Sequence, residues 1–310
     1  MSVSASSNLV HQAFLYGSQE EFVAAMSPFV RDGLELGDTV FAATKRSNID
    51  ALREDLAGDG DLVEFHDTSQ WETRPYDRLQ AFRGMVDELP PGAVLRAMGE
   101  PVWNGSRAAV RQWARYESLI NLALADASMQ FVCLYDSSEL PDRILDYALR
   151  THPEQVMDGS HVASPAFEPP EQFLPGLPPD PPSAIPELPL EPAEFRDVVA
   201  GLALEAGLGP DRVPDFVLAT HEVAANAFRH GRPPVHAHVW ASDEEIICRI
   251  SDAGAGISDP LAGWVPPSSL SNGGWGLPIA RQLCDVVEVF QRDAETIVSL
   301  HLALHGRSRA

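Results

Sequence analysis

At 310 residues the chain is long enough for about two domains of roughly 150 residues each, and its 45% hydrophobic and 22% charged residues are ordinary globular usage, which excludes wholesale disorder. The formal net charge of −23, from 45 acids against 22 bases, argues against duplex nucleic acid or an anionic membrane as the main partner. Cys133, Cys248 and Cys284 stand far apart in apolar stretches, a spacing that forms neither a disulfide framework nor a local metal box; with no signal-peptide pattern in MSVSASSNLVHQ and no apolar run of ~18 residues, a soluble cytoplasmic protein is expected.

The N-terminal half alternates short apolar runs with amphipathic stretches, the pattern of parallel strands joined by crossover helices. Strands are predicted at 12–16, 38–44, 61–66, 93–98 and 129–135, and helices at 18–33, 47–57, 76–89, 107–125 and 141–149, the first opened by a capping box of Ser18 and Glu21. The expected fold is an open doubly wound α/β sheet, which binds ligands beyond the carboxyl ends of its strands. No GxxxxGK(S/T) phosphate loop occurs, and the single lysine, Lys45, follows the second strand with no glycine beside it, so nucleotide binding by this half is not expected. Near predicted strand ends lie His11, Tyr16, His66, Glu100, Trp103 and His152. Taken singly, such residues are more often structural or surface groups than ligand contacts; as a set they are candidates for a sensory-ligand site.

The opening HQAFLYGSQEEFVAAMSPFVRDGLELGDTVFAAT, the central MGEPVW, the helix QWARYESLINLAL and the closing LYD and THPE together resemble the MEDS sensory domain of bacterial signalling proteins, over about residues 10–155. The resemblance implies a small-molecule sensor at 8–158, on a scaffold similar to RecA-type ATPases but without a working phosphate loop. It does not imply the chemistry of the ligand.

Prolines then crowd the stretch PAFEPPEQFLPGLPPDPPSAIPELPLEP. Proline fixes φ and removes a donor, so 159–191 is read as a semi-extended linker rather than helix or sheet interior. Beyond it, helices are predicted at 193–206, 211–230 and 276–284, and strands at 235–241, 245–251, 286–291 and 296–303. Helices before and between antiparallel hairpins suggest a two-layer α/β sandwich over 192–305.

Three motifs sit at the joints of that layout. HEVAANAFRHG places Glu222, Asn226 and His230 every four residues, hence on one helical face. A carboxylate and an amide so presented suit magnesium, and the carboxylate could deprotonate an attacking hydroxyl; the same face is also what a surface helix with a polar stripe presents. SDAGAGIS ends a strand, where Asp252 can accept from an exocyclic amine and Gly254 and Gly256 let backbone approach a ligand, though a glycine-rich turn after a strand is common. NGGWGLPIARQL, from Asn272, puts glycines just before a helix, where free N–H groups favour a phosphate or simply form a loop-to-helix entry.

In order and spacing, E-x-x-x-N, D-x-G-x-G and G-G-x-G-L resemble the signature of the GHKL superfamily of gyrase, histidine-kinase and chaperone ATPases, over about residues 190–305. Within it the sequence is most similar to the anti-sigma-factor serine/threonine kinases. That likeness implies ATP and Mg2+ as cofactors, with Asn226 holding the metal, Glu222 as catalytic base and Asp252 reading adenine. Arg229, His230, Gly254, Gly256, Ile257, Gly274, Gly276 and Leu277 would complete the nucleotide site. It also implies a sigma factor or a STAS-type antagonist as partner, and a homodimer is compatible with it. One departure stands out: the lid expected at 257–276 contains no Lys or Arg, whereas phosphoryl transfer is commonly assisted by a cation; Arg229 or Arg281 could reach the site, or be solvated helix arginines. Two other readings therefore stay open, an ATP-holding module that sequesters its partner and a sensor histidine kinase. The second lacks a dimerisation helix pair with an acceptor histidine before the ATPase part.

Overall fold

The computed structural model describes residues 8–71, 74–157, 159–254, 256–267, 274–292 and 294–305. They form two compact units, one of residues up to 106 with 113–175, the other of 107–112 with 176 onward.

The first unit begins with β1 (Leu9–Tyr16), α1 (Gln19–Leu36), β2 (Thr39–Thr44), α2 (Arg46–Leu56), β3 (Glu64–Asp67), α3 (Pro75–Asp87) and β4 (Leu95–Gly99). After these come α4 (Arg107–Ala123), of which 107–112 count with the other unit, β5 (Met129–Asp136), α5 (Asp142–Thr151), β6 (Glu154–Met157) and β7 (Ser160–Ala163). The seven strands lie in the order β3-β2-β4-β5-β1-β6-β7, parallel except for the β6–β7 hairpin. The expected mostly parallel α/β sheet is thus present. Strands β2 and β5 read as near-continuous apolar runs because both faces of the sheet are covered, which is how parallel strands are buried.

Three local expectations are corrected. Helix α1 does not stop at Gly33 but runs to Leu36, where Gly37 at φ +80 caps it; Gly33 is interior because the Arg96 side chain crosses it too closely for a Cβ. The third strand starts at Glu64 rather than 61, since Ala57–Leu62 turns as a 3-10 helix. Residues 160–163, assigned to the linker, form β7. Ser18 does cap α1, accepting from Glu21 N–H at 3.2 Å, while the Glu21 carboxylate reaches back to Gly17 N–H at 2.8 Å.

The rest of the proline-rich stretch has no helix or strand, yet it is held in place. Phe173 is fully buried and its carbonyl accepts from Arg115 at 3.1 Å. In the second unit, Leu188 is buried, its N–H donating to Ala237 O at 2.8 Å, and Arg249 donates to Pro179 O at 2.7 Å.

The second unit comprises α6 (Pro192–Glu205), α7 (Val213–His230), β8 (Val235–Ala241), β9 (Glu245–Asp252), α8 (Gly276–Leu283), β10 (Val286–Arg292) and β11 (Glu295–Ala303). Its sheet is antiparallel, in the order β10-β11-β9-β8. On α7 the buried positions Phe216, Ala219, Val223 and Ala227 recur at helical spacing and join Phe195 and Val199 of α6 against Ala237, Cys248, Ile250 and Leu300 of the sheet. This single apolar layer between helices and sheet orients α7, so the next face of the same helix is aimed at the sheet's end.

His301 on β11 is buried with Glu245 Oε2 at 3.2 Å and Glu288 Oε2 at 3.4 Å. Burial pulls its imidazole down, but the two carboxylates outweigh that and raise its pKa above the usual 6.5. Stability from this charge is therefore complete below the unfolded value and lost as pH rises through the folded one. Urea unfolding of the full chain should show wild type losing more stability than His301→Gln as pH rises from 6.5; parallel curves would contradict the assignment.

Candidate functional site

Between the C-terminal half of α7, the end of β9 and the start of α8 lies a cavity of about 570 Å³, within the size range of small-molecule sites. Of the residues singled out in the sequence, Asn226, His230, Asp252, Gly254, Gly256, Ile257, Gly274 and Leu277 line it. Glu222, Arg229 and Gly276 are not among the lining residues. Asn272 and Gly273 of the third motif, and lid residues 268–271, lie outside the described residues.

Helical spacing brings Asn226 and His230 to the cavity beside Val223 and Ala227, which serve both the core and the cavity wall. Gly276 backs Asn226: a Cβ on residue 276 would overlap the Asn226 carboxamide, so glycine here leaves that side chain its place and a larger residue would displace it. Glu222, one turn earlier, is half-buried and makes no hydrogen bond or ion pair with the described residues. Its carboxylate is uncommitted.

Asp252 is the last residue of the inner strand β9, paired with Val235 on one side and Thr296 on the other. It is 7% exposed, and its Oδ1 accepts from Gly254 N–H at 2.8 Å and Arg232 N–H at 3.1 Å. Both bonds fall on one oxygen, so the carboxylate plane is set and Oδ2 is left without a partner among the described residues. Gly256 N–H is tied to Thr296 Oγ1 at 3.1 Å, fixing the turn that follows. Ile250, Val298, Leu261 and Leu277 supply apolar walls, and Asp259 is a second acid of the lining, its Oδ1 accepting from Leu261 N–H at 2.9 Å.

The described part of the lid is anchored rather than loose. Trp264 is 2% exposed and stacks over the Arg281 guanidinium at 4.1 Å, and Arg281 in turn donates to Val287 O at 2.7 Å. Arg281 is thus a buried structural cation, neither the solvated helix arginine nor the phosphate contact that its sequence position allowed. Arg229 is exposed at the end of α7. Chemically, Asp252 Oδ2 can accept from a donor that enters the cavity, such as an exocyclic amine. The Asn226 carboxamide offers the hard oxygen that magnesium takes.

In the first unit the sensory candidates separate into distinct places. Tyr16 and Glu100 meet at the carboxyl ends of β1 and β4, their side chains 3.1 Å apart, with Thr44 Oγ1 donating to Glu100 at 2.6 Å and Asn48 to Tyr16 OH at 3.0 Å. Lys45, set aside in the sequence for want of a phosphate loop, belongs here: its ammonium pairs with Asp136 at the end of β5 and with Glu139 at 3.3 Å. Burial lowers the Lys45 pKa, but Asp136, Glu100 and Glu139 outweigh it and hold the charge firmly on. Thr44, Asn48 and Asp136 were not singled out in the sequence; that Thr44 and Asp136 end apolar strand runs was the available signal.

His66 instead pairs with Glu64 at 2.8 Å and stacks on Phe41 and Trp71, at the sheet edge. Trp103 sits 6.0 Å from the Tyr135 ring. His11 and His152, 141 positions apart along the chain, stack at 4.1 Å in the interior beside Glu117 and Cys133. Burial, then the neighbouring His152, pushes the His11 imidazole well below its usual range, and burial and Glu117 push the Cys133 thiol up.

Comparison with family models finds the MEDS domain, described as the MEthanogen/methylotroph, DcmR Sensory domain, over residues 10–153. A second model, the histidine kinase-like ATPase domain, matches residues 185–302. No curated protein matches the chain. Among the described residues no helix is long and apolar enough to cross a membrane.

Proposed function

We propose that this chain, a signal-transduction regulator with a MEDS sensory domain before a histidine-kinase-like ATPase domain, is an ATP-dependent kinase of the anti-sigma-factor type that phosphorylates Ser or Thr on a STAS-type antagonist. The observation that carries the nucleotide half of this reading is Asp252, one carboxylate oxygen locked by two N–H groups and the other left to accept in an apolar cavity. Adenine offers the exocyclic amine such an acceptor requires. Magnesium, taken up at the Asn226 carboxamide, would neutralise charge on the phosphates.

Glu222, without a partner among the described residues and one helical turn before Asn226, is the base. It takes the proton of the partner's hydroxyl as that oxygen bonds to the γ-phosphorus and the bond to the bridging oxygen breaks, releasing ADP. The cell would supply a small molecule to the first domain and a sigma factor or antagonist to the second.

A second reading is favoured by the lid. Residues 257–276 contain no Lys or Arg and Arg281 is committed to Trp264 and Val287, so a module that holds ATP and sequesters its partner with little transfer also suits the site. Incubating the full chain with γ-labelled ATP, magnesium and STAS-type antagonists pulled down from its host separates the two. Acid-stable label on the antagonist is expected for the kinase. ATP-dependent capture without label supports the sequestering module, and acid-labile label would replace both with histidine phosphorylation.

A further inference from the structure

The first unit contains a polar cluster in its interior that neither domain assignment uses. His11 on β1, Glu117 on α4, Cys133 on β5 and His152 at the end of α5 are 3%, 1%, 1% and 0% exposed, and one ligand atom from each lies within 4.8 Å of all the others. Separations within the cluster are 3.2 Å from His152 Nε2 to Glu117 Oε2, 3.4 Å from His11 Nε2 to Cys133 Sγ and 4.0 Å from His11 Nε2 to Glu117 Oε2. Atoms bound tetrahedrally at about 2.0–2.3 Å from one ion stand about 3.3–3.8 Å apart.

The hydrogen bonds around the cluster settle which way its lone pairs point. Asn121 gives both amide hydrogens to carbonyls, Ser118 O at 3.0 Å and Thr151 O at 2.8 Å. Its Oδ1, 3.0 Å from His11 Nδ1, must then accept, so His11 is protonated at Nδ1 and turns the Nε2 lone pair inward. His152 Nδ1 lies 2.8 Å from Ala148 O, which can only accept, so His152 Nδ1 also carries its proton. Among the described residues, its Nε2 and Glu117 Oε1 are buried without a hydrogen-bond partner. Two imidazole nitrogens, a thiol and a carboxylate therefore converge where water does not reach, and the buried guanidinium of Arg78 donates to Glu100 O and Thr68 while its charge still acts on Cys133 from outside the cluster. Glu117 Oε2 accepts from Tyr135 OH at 3.3 Å, but one neutral donor does not offset the charge of a buried carboxylate, which a cation among these atoms would.

We propose that His11, Glu117, Cys133 and His152 form a closed binding site for a divalent transition ion of the zinc class inside the sensory domain. Thiolate and carboxylate balance the two positive charges, and the mixed nitrogen, sulfur and oxygen set is the kind a borderline ion takes. Both histidines are oriented by a second hydrogen bond from the far ring nitrogen, the usual support of a metal-bound imidazole. Four protein ligands leave no open position, so the ion is a resident one that ties β1, α4, β5 and α5 together. On binding, the Cys133 thiol gives its proton to solvent as the sulfur–metal bond forms.

The test uses the full chain. Purified without chelator from zinc-supplemented cells, it should carry one zinc per chain by plasma mass spectrometry. After exchange for cobalt it should show tetrahedral visible bands and a thiolate-to-cobalt charge-transfer band in the near ultraviolet. Cys133→Ser should lose that band, Cys248→Ser and Cys284→Ser should keep it, and Asn121→Ala should weaken zinc binding about 10- to 100-fold in competition with a chromophoric chelator. If Cys133→Ser does not fold, the wild-type band together with its survival in the other two variants still assigns the sulfur. A folded chain that carries no metal and gives no cobalt spectrum overturns the proposal, leaving a proton shared between His152 and Glu117. A cobalt spectrum without the sulfur band overturns it equally.

Discussion

Asp252→Asn should bind ATP about 100-fold more weakly than wild type by titration calorimetry, close to 2.7 kcal/mol, with the far-ultraviolet circular dichroism unchanged. The side chain keeps its shape, and its remaining oxygen must still face the N–H groups of Gly254 and Arg232. The amide nitrogen is thereby forced into the cavity, where a donor meets the donor amine of adenine and the pair loses its hydrogen bond. The same reversal makes a sharper readout. Inosine triphosphate carries a carbonyl where ATP carries the amine, so wild type should prefer ATP and the variant should lose or invert that preference. Unchanged ATP affinity in the variant would remove Asp252 from the nucleotide site and with it the proposed function of the cavity.

A second large effect is expected at Glu222. Glu222→Gln should lower label transfer to the antagonist by about 10²- to 10⁴-fold, the usual contribution of a positioned base, while ATP affinity changes little. The split between rate and binding follows from placement: Glu222 is not among the cavity-lining residues, whereas Asn226 one turn on is. Glutamine preserves size and helix propensity, so a loss of transfer cannot be ascribed to unfolding of α7. Comparable losses in affinity and transfer would instead make Glu222 part of the nucleotide cradle. Normal transfer would exclude it as the base.

Much of the cavity's lining was legible in the sequence, for a local reason. Asn226 and His230 share a face because a helix repeats every 3.6 residues. Asp252 ends an inner strand because the apolar run before it is a strand's length, and Gly276 precedes a helix in the order of the chain. Where reasoning along the chain failed, a partner from elsewhere was the cause. Gly33 read as a helix stop, but Arg96 from β4 crosses it and the helix continues. Arg281 read as a solvated or phosphate-binding arginine, but Trp264 of the lid covers it. The hairpin β6–β7 was invisible because its residues are too polar for a strand pattern, and it forms where β6 adds to the edge of β1.

By itself the amino-acid sequence determined two α/β units, the order of the three nucleotide motifs and the absence of a phosphate loop, since each depends on residue type and spacing over a few turns. Only the folded chain decided that Lys45 faces Asp136 at the strand ends and that Cys133, isolated along the chain, shares its surroundings with His11, Glu117 and His152. Parallel strands joined by crossovers put residues more than a hundred positions apart into neighbouring strands, as His11 and Cys133 show. No local pattern encodes such a meeting, because its geometry comes from sheet order and register.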